Sequence, residues 1–122
     1  MKKSISLEIE QITHSINFPN TGEMIRIENI KNELAGHEYE SYNRSDSSGM
    51  IAKINIDTIA TLTVLCPSLV KDLQVKSLRE LELEHQMKLT RWYMKVYFPW
   101  YDDILTTLSK IATSEDDDKA KE

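Results

Sequence analysis

The chain has little of what most catalytic motifs require. One cysteine, Cys66, in 122 residues excludes an internal disulfide framework and fits a reducing compartment. Three glycines, Gly22, Gly36 and Gly49, are too few and too scattered to build a phosphate-cradling loop. His14, His37 and His85 stand far from one another and from Cys66, at no spacing that a metal site uses. The longest uncharged run, Thr58 to Val70, is thirteen residues, against the ~20 that a bilayer-spanning helix needs. No apolar stretch follows Met1-Lys2-Lys3-Ser4, so no signal peptide is expected. Asp102-Asp103 are adjacent carboxylates, but after Pro99 they read as early acids that complement a helix N-terminus. The expectation is a cytoplasmic protein that is not an enzyme, with no cofactor, no metal and no membrane segment.

What is present is enough for a core. Hydrophobic residues make up 40% and charged residues 29% of a 14.2 kDa chain, the size of one domain. The net charge is −5, from 15 basic and 20 acidic side chains, but it is unevenly placed. Residues 114–122 (SEDDDKAKE) hold five acids and two lysines, a net of −3, which leaves −2 for residues 1–113. With Ala120 as its one apolar residue, that end reads as an acidic disordered tail on a single globular domain spanning 1–113.

The N-terminal part reads as β. Ile5, Leu7 and Ile9 alternate with polar residues, and Ile12, Ile16 and Phe18 continue after a phase slip near Gln11. Phe18 to Gly22 is rich in turn formers, and Met24 to Ile27 is read as the returning strand of a hairpin. Ile27, Ile30 and Leu34 then take helical spacing, with Gly36 placed to end the helix. Tyr39 to Gly49 reads as a loop, and the alternation of Ala52, Ile54 and Ile56 as one more strand. Asp57 would cap a helix that Cys66-Pro67 ends. Leu69, Val70 and Leu73 form a further turn before a break at Gln74 to Lys76.

Ser77-Leu78-Arg79-Glu80 has the capping-box pattern and predicts the start of the longest helix. With Leu78 as zero and ~100° per residue, Leu81, His85, Leu89, Trp92, Val96 and Trp100 all lie within about 60° of one line. Tyr93, Tyr97 and Tyr101 form a ridge near 100°, if helical geometry passes Pro99, while Met87, Met94 and Phe98 fall near 180°. Six of the nine aromatic residues lie between positions 92 and 101. A helix apolar around so much of its girth is enclosed by its own domain or covered by another chain. Tyrosine and tryptophan are enriched at interfaces, so Trp92, Tyr93, Tyr97, Phe98, Trp100 and Tyr101 are the candidate partner-binding residues. Lys88, Arg91 and Lys95 centre near 250°, away from the tyrosine ridge, which disfavours a nucleic-acid surface combining phosphate contacts with stacking. Pro99 reads as a kink, or as the start of a second helix carrying Trp100, Ile104, Leu108 and Ile111.

The fold expected is α+β and mostly α: an N-terminal hairpin or small sheet, then a helical C-terminal half whose long helix is punctuated at Pro99. Several stretches add to this plan: Thr21-Gly22-Glu23 before Ile27-Glu28-Asn29-Ile30-Lys31, then Ile56-Asp57-Thr58-Ile59-Ala60, Cys66-Pro67-Ser68-Leu69 and Phe98-Pro99-Trp100. Over residues 5–112 the pattern resembles the small tail-assembly proteins of tailed bacteriophages, particularly the tail assembly chaperones. The resemblance implies a non-enzymatic viral protein in the host cytoplasm that coats a tape-measure protein and helps to recruit tail-tube subunits. It also implies self-association into a homo-oligomer, and it carries no catalytic residues. A structural virion component and a small partner-binding regulator stay open as alternatives, with a nucleic-acid-binding protein third.

Overall fold

A computed structural model describes residues 2–36 and 47–121. Most of the loop segment expected at 39–49 lies outside the described residues. The chain opens with two antiparallel strands, β1 (Ser4–Ile9) and β2 (Ile12–Asn17), and everything after them is helical: α1 (Thr21–Ala35), α2 (Ser47–Leu65), α3 (Leu69–Asp72), a 3-10 turn (Leu78–Glu80), α4 (Leu83–Trp92), a π turn (Tyr93–Tyr97) and α5 (Phe98–Lys121).

The hairpin turns where its alternation slips. Ile9 pairs with Ile12, and Glu10 and Gln11 between them take φ of 51° and 64°. Two successive left-handed residues form the tight turn whose twist matches the strands. Glycine or asparagine normally signals such a turn, so a Glu-Gln pair hides it. Ile5, Leu7, Ile9 and Ile16 all face the core.

The strand expected at Met24 to Ile27 is instead the first part of α1. Asn20 caps that helix: its side chain accepts from the Glu23 amide at 2.9 Å, and Glu23 Oε1 accepts from the Asn20 amide at 3.0 Å. This reciprocal box satisfies two amide donors that would otherwise lack partners. Gly36 closes the helix in the left-handed region at φ 58°, as its position predicts.

The strand expected at Ala52 to Ile56 is also helical, and Asp57 is not a cap. Both belong to α2, the central helix, which packs between α1 on one side and the hairpin and α4 on the other. Leu62 and Cys66, the residue just past its end, join the larger core with the hairpin, while Ala60 and Val64 meet Ile27 of α1 in a second cluster. A helix buried on two sides carries apolar residues at spacings that also satisfy a strand, so periodicity there could not discriminate. Leu65 is its last residue, before Cys66-Pro67, as expected.

The capping pattern at Ser77 starts only a single 3-10 turn. The Ser77 hydroxyl accepts from the Arg79 amide, while the Glu80 amide donates to the Ser77 carbonyl, and Leu81 and Glu82 return to extended geometry before α4 begins at Leu83. The detour sets Leu78 into the core, 2% exposed. At the other end, α5 continues its backbone helix through the acidic segment to Lys121, beyond Ala112 where its apolar stripe ends.

Pro99 does not split the long helix; the turn before it widens. The Phe98 amide donates to Tyr93 O, five residues back. A wider turn accommodates a ring that would otherwise collide with the carbonyl four residues earlier. An i→i+5 turn takes in one extra residue, so later positions are set back by about 100° relative to a plain α-helix. Ile104, at about 80° on the plain wheel, thereby returns to the line of Leu89, and Tyr97 does the same. Leu89, Tyr93, Tyr97 and Ile104 are accordingly buried, whereas Val96, expected on the seam, is 39% exposed.

Replacing Asn20 by alanine is expected to cost about 1 kcal/mol, with Asn20→Asp close to neutral, measured by urea denaturation. An Asn20→Ala midpoint equal to wild type would show that the cap contributes nothing.

Candidate functional site

The aromatic segment has two working sides, and the π turn divides them. On one side the helix runs along the outer edge of β1. Trp92 Nε1 donates to the Ser6 carbonyl at 2.8 Å, and Trp100 Nε1 donates to the Lys2 carbonyl at 2.7 Å. His85 Nε2 stands 2.8 Å from Glu10 Oε1 at the hairpin turn. Successive contacts are four residues apart on the strand, about 13 Å, and seven or eight apart on the helix, about 11–12 Å. The two elements therefore keep step, running antiparallel. Register explains why those carbonyls are available: Ser6 sits opposite Ser15 at a site whose backbone groups point away from β2, and the bond from Phe18 N to Lys3 O at 3.0 Å fixes the same alternation at Lys2. Phe18 completes the side, stacked on Tyr101 and edge-on to Trp100, both with ring centroids at 5.4 Å.

The other side walls a cleft of about 250 Å³ between α1, α2 and the aromatic segment. Tyr93, Tyr97, Phe98 and Tyr101 line it, stacked in sequence: Tyr93 on Tyr97 at 5.2 Å and Tyr97 on Tyr101 at 5.6 Å. Facing them are Met24 and Ile27 of α1 and an ion-paired group. Asp57, buried mid-helix, has Lys53 Nζ at 3.3 Å and Lys31 Nζ at 3.7 Å, and Lys31 also reaches Glu28 at 3.0 Å. A buried carboxylate held between two ammonium groups offsets its desolvation and leaves the cleft floor polar and nearly neutral.

Burial pushes the Tyr97 phenol far above the usual tyrosine range, with Tyr93 and Tyr101 adding to it. Tyr93 is raised in the same way, by burial and then by the charge of Asp57. Tyr101 is raised less; Lys31 opposes the effect of burial there. These phenols stay protonated at neutral pH, so the wall offers hydrogen bonds and apolar contact rather than a base.

Of the six residues singled out as a partner surface, Tyr93 and Tyr97 are buried in the core, and Trp92, Trp100 and Tyr101 are half-buried against it. Phe98 is the one that opens to solvent, at 53% exposed. Much of the aromatic crowding is thus the hairpin's own seat. Four of the six, Tyr93, Tyr97, Phe98 and Tyr101, nevertheless meet at the cleft.

A second polar cluster was not legible in sequence, because its members lie 54 residues apart. Ser68 Oγ is 3.3 Å from His14 Nδ1, His14 Nε2 is 3.2 Å from Asp72 Oδ2, and Cys66 Sγ is 3.8 Å from Ser68 Oγ. The hydroxyl–imidazole–carboxylate order suggests a nucleophile relay, but the Ser68 contact is long and the Asp72 carboxylate is not aligned to accept from Nε2. Burial pushes the Cys66 thiol up, and nearby Asp72 adds to that, away from reactivity. The cluster reads as a strut between β2 and α3. Among the described residues no group of three or more histidine, cysteine, aspartate or glutamate side chains is placed to hold a metal, and no helix is long and apolar enough to cross a membrane.

No protein family, curated protein or solved structure matches this chain.

Two outcomes follow from that geometry. Trp100→Phe keeps the ring against Phe18 but strands the Lys2 carbonyl, and is expected to lower stability by about 1 kcal/mol in denaturant; no change would mean that water replaces the indole freely. The tyrosines make stability fall in alkali. Above about pH 10 the unfolded chain loses its phenol protons while the folded one keeps them, so the unfolded state is favoured as pH rises. Denaturant midpoints should drop progressively above that pH, and Tyr97→Phe should make the drop shallower; parallel pH curves for the two proteins would refute this.

Proposed function

We propose that this protein is a non-enzymatic assembly chaperone or adaptor, acting in the way the resemblance to phage tail assembly chaperones implies. Its partner is a helical protein of the tape-measure kind, which it holds through the cleft of Tyr93, Tyr97, Phe98 and Tyr101. One observation carries this reading: a stacked, rigid tyrosine wall opens on exposed Phe98 beside Met24, over a polar floor. Concave sites that set an aromatic wall against convergent polar groups are where proteins take up ligands and partner side chains. Stacked aromatics lose little freedom on binding, which makes them efficient anchors.

Three lines of support lean the same way. The phenols are held neutral, Lys31 and Asp57 are engaged with each other, and no step of covalent chemistry suggests itself at the cleft. An exposed helix side chain that projects over such a cleft suits a partner helix laid across it.

Co-expression with the tape-measure protein of the genome that encodes this chain tests the reading. The two proteins should co-elute from a sizing column, and Phe98→Glu should abolish co-elution while leaving the thermal midpoint within a few degrees of wild type. A chain that elutes alone, or a Phe98→Glu variant that still co-elutes, overturns it.

A further inference from the structure

Clear of the aromatic cleft, α2 and α4 leave a groove of about 520 Å³ that shares no lining residue with it. Its apolar walls are Ile51 of α2 and Leu83, Met87 and Met94 of the long helix, with Leu83 74% and Met87 57% exposed. Apolar side chains this exposed on one face mark a docking surface. Arg91 and Lys95 close one end. They are the charged residues of the lining, and neither makes a salt bridge among the described residues.

Spacing sets the shape of what fits. Leu83, Met87, Thr90 and Met94 follow one another at four, three and four residues, the a/d interval of a coiled-coil seam. The seam is about 16 Å long, three turns of helix. A helix whose apolar residues repeat at the same interval can interlock with it, with Ile51 on the opposite wall.

One seam position is polar, and its neighbours bond to it. Gln86 Nε2 donates to Thr90 Oγ1 at 2.9 Å, and Thr90 Oγ1 donates to Asn55 Oδ1 at 3.1 Å. All three residues are half-buried in the groove. This leaves Gln86 Oε1 as an acceptor and Asn55 Nδ2 as a donor, neither met by any described residue. A side-chain amide, with its own carbonyl and NH2, answers both. One polar residue in an otherwise apolar seam fixes register.

We infer that this groove receives an amphipathic helix of a different protein. That helix is apolar at a and d except for one Asn or Gln, and acidic at the end that lies over Arg91 and Lys95. Charge selects it: two unpaired cations beside an apolar groove attract carboxylates and penalise a basic helix. A second copy of the same face brings two more cations and, among the described residues, no acid in its lining. The inference stands without the aromatic cleft, which is a separate site.

Fluorescence anisotropy with a labelled peptide tests it. The probe is a designed helix of about 18 residues, long enough to span the groove. It carries leucine at a and d, one asparagine in the seam and glutamates near one end; a twin has lysines in their place. The full-length protein should bind the acidic peptide at least about tenfold tighter than the twin, with the gap narrowing as salt rises. Met87→Glu should weaken the acidic peptide by about tenfold or more. Arg91→Glu combined with Lys95→Glu should reverse the preference, which a misfolded protein cannot do. No binding of the acidic peptide, equal affinity for the two peptides, or a charge-swapped variant with the wild-type preference overturns the inference. So does sedimentation in which the chain alone self-associates and Met87→Glu does not, because the occupant is then a second copy.

Discussion

The structure depends on how the outer edge of β1 is closed. A two-stranded hairpin in water is marginal, and its free edge exposes unpaired carbonyl groups. Here the indole N–H groups of Trp92 and Trp100 take the Ser6 and Lys2 carbonyls, and His85 meets Glu10 at the turn. The long helix thus stands in for a third strand on that edge while its apolar side covers Leu7 and Ile9. The two tryptophans follow from this: a long, rigid, planar side chain with a donor at its end can span from the helix to the strand backbone.

That arrangement requires the helix to keep one face toward the hairpin over more than twenty residues, from Leu83 to Ile104. A plain α-helix carrying these side chains would not do so, since Tyr97 and Ile104 would drift from the line of Leu89. The π turn restores the line, and Pro99 favours it because a wider turn relieves the collision a proline ring makes in a regular helix. The same turn stacks Tyr93, Tyr97 and Tyr101 into the cleft wall, so one local deviation supports both the fold and the proposed site.

Much of the plan was legible. The β start, the Gly36 stop, the end before Cys66-Pro67, the break after Leu73 and the long helix past Pro99 each rest on local sterics that no tertiary contact reverses. The failures have physical reasons. Glu10-Gln11 is a tight turn without turn residues, so no local signal marks where the strand reverses. The Asn20–Glu23 box marks the start of α1, but Met24 to Ile27 alternates as a strand would, and only the cap geometry decides between them. α2 is buried on two sides, and an all-round apolar helix can imitate a strand. Of the candidate site, the aromatic residues were visible but not their division of labour. Their partners, Ser6, Lys2, Phe18, Lys31 and Asp57, are far away in sequence, and no periodicity links them.

The sequence by itself determined a hydrophobic budget sufficient for one core, an acidic excess gathered at the C-terminal end, and the punctuation at Gly36, Pro67 and Pro99. These are properties of single residues or of neighbours, set by backbone sterics and solvation. Only the tertiary structure decided which aromatic side chains are anchors and which are exposed. That choice depends on a rotation of about 100° at the π turn and on strand carbonyls up to 98 residues away. What began as one crowded stripe is two surfaces, a seat for the hairpin and a wall for a cleft.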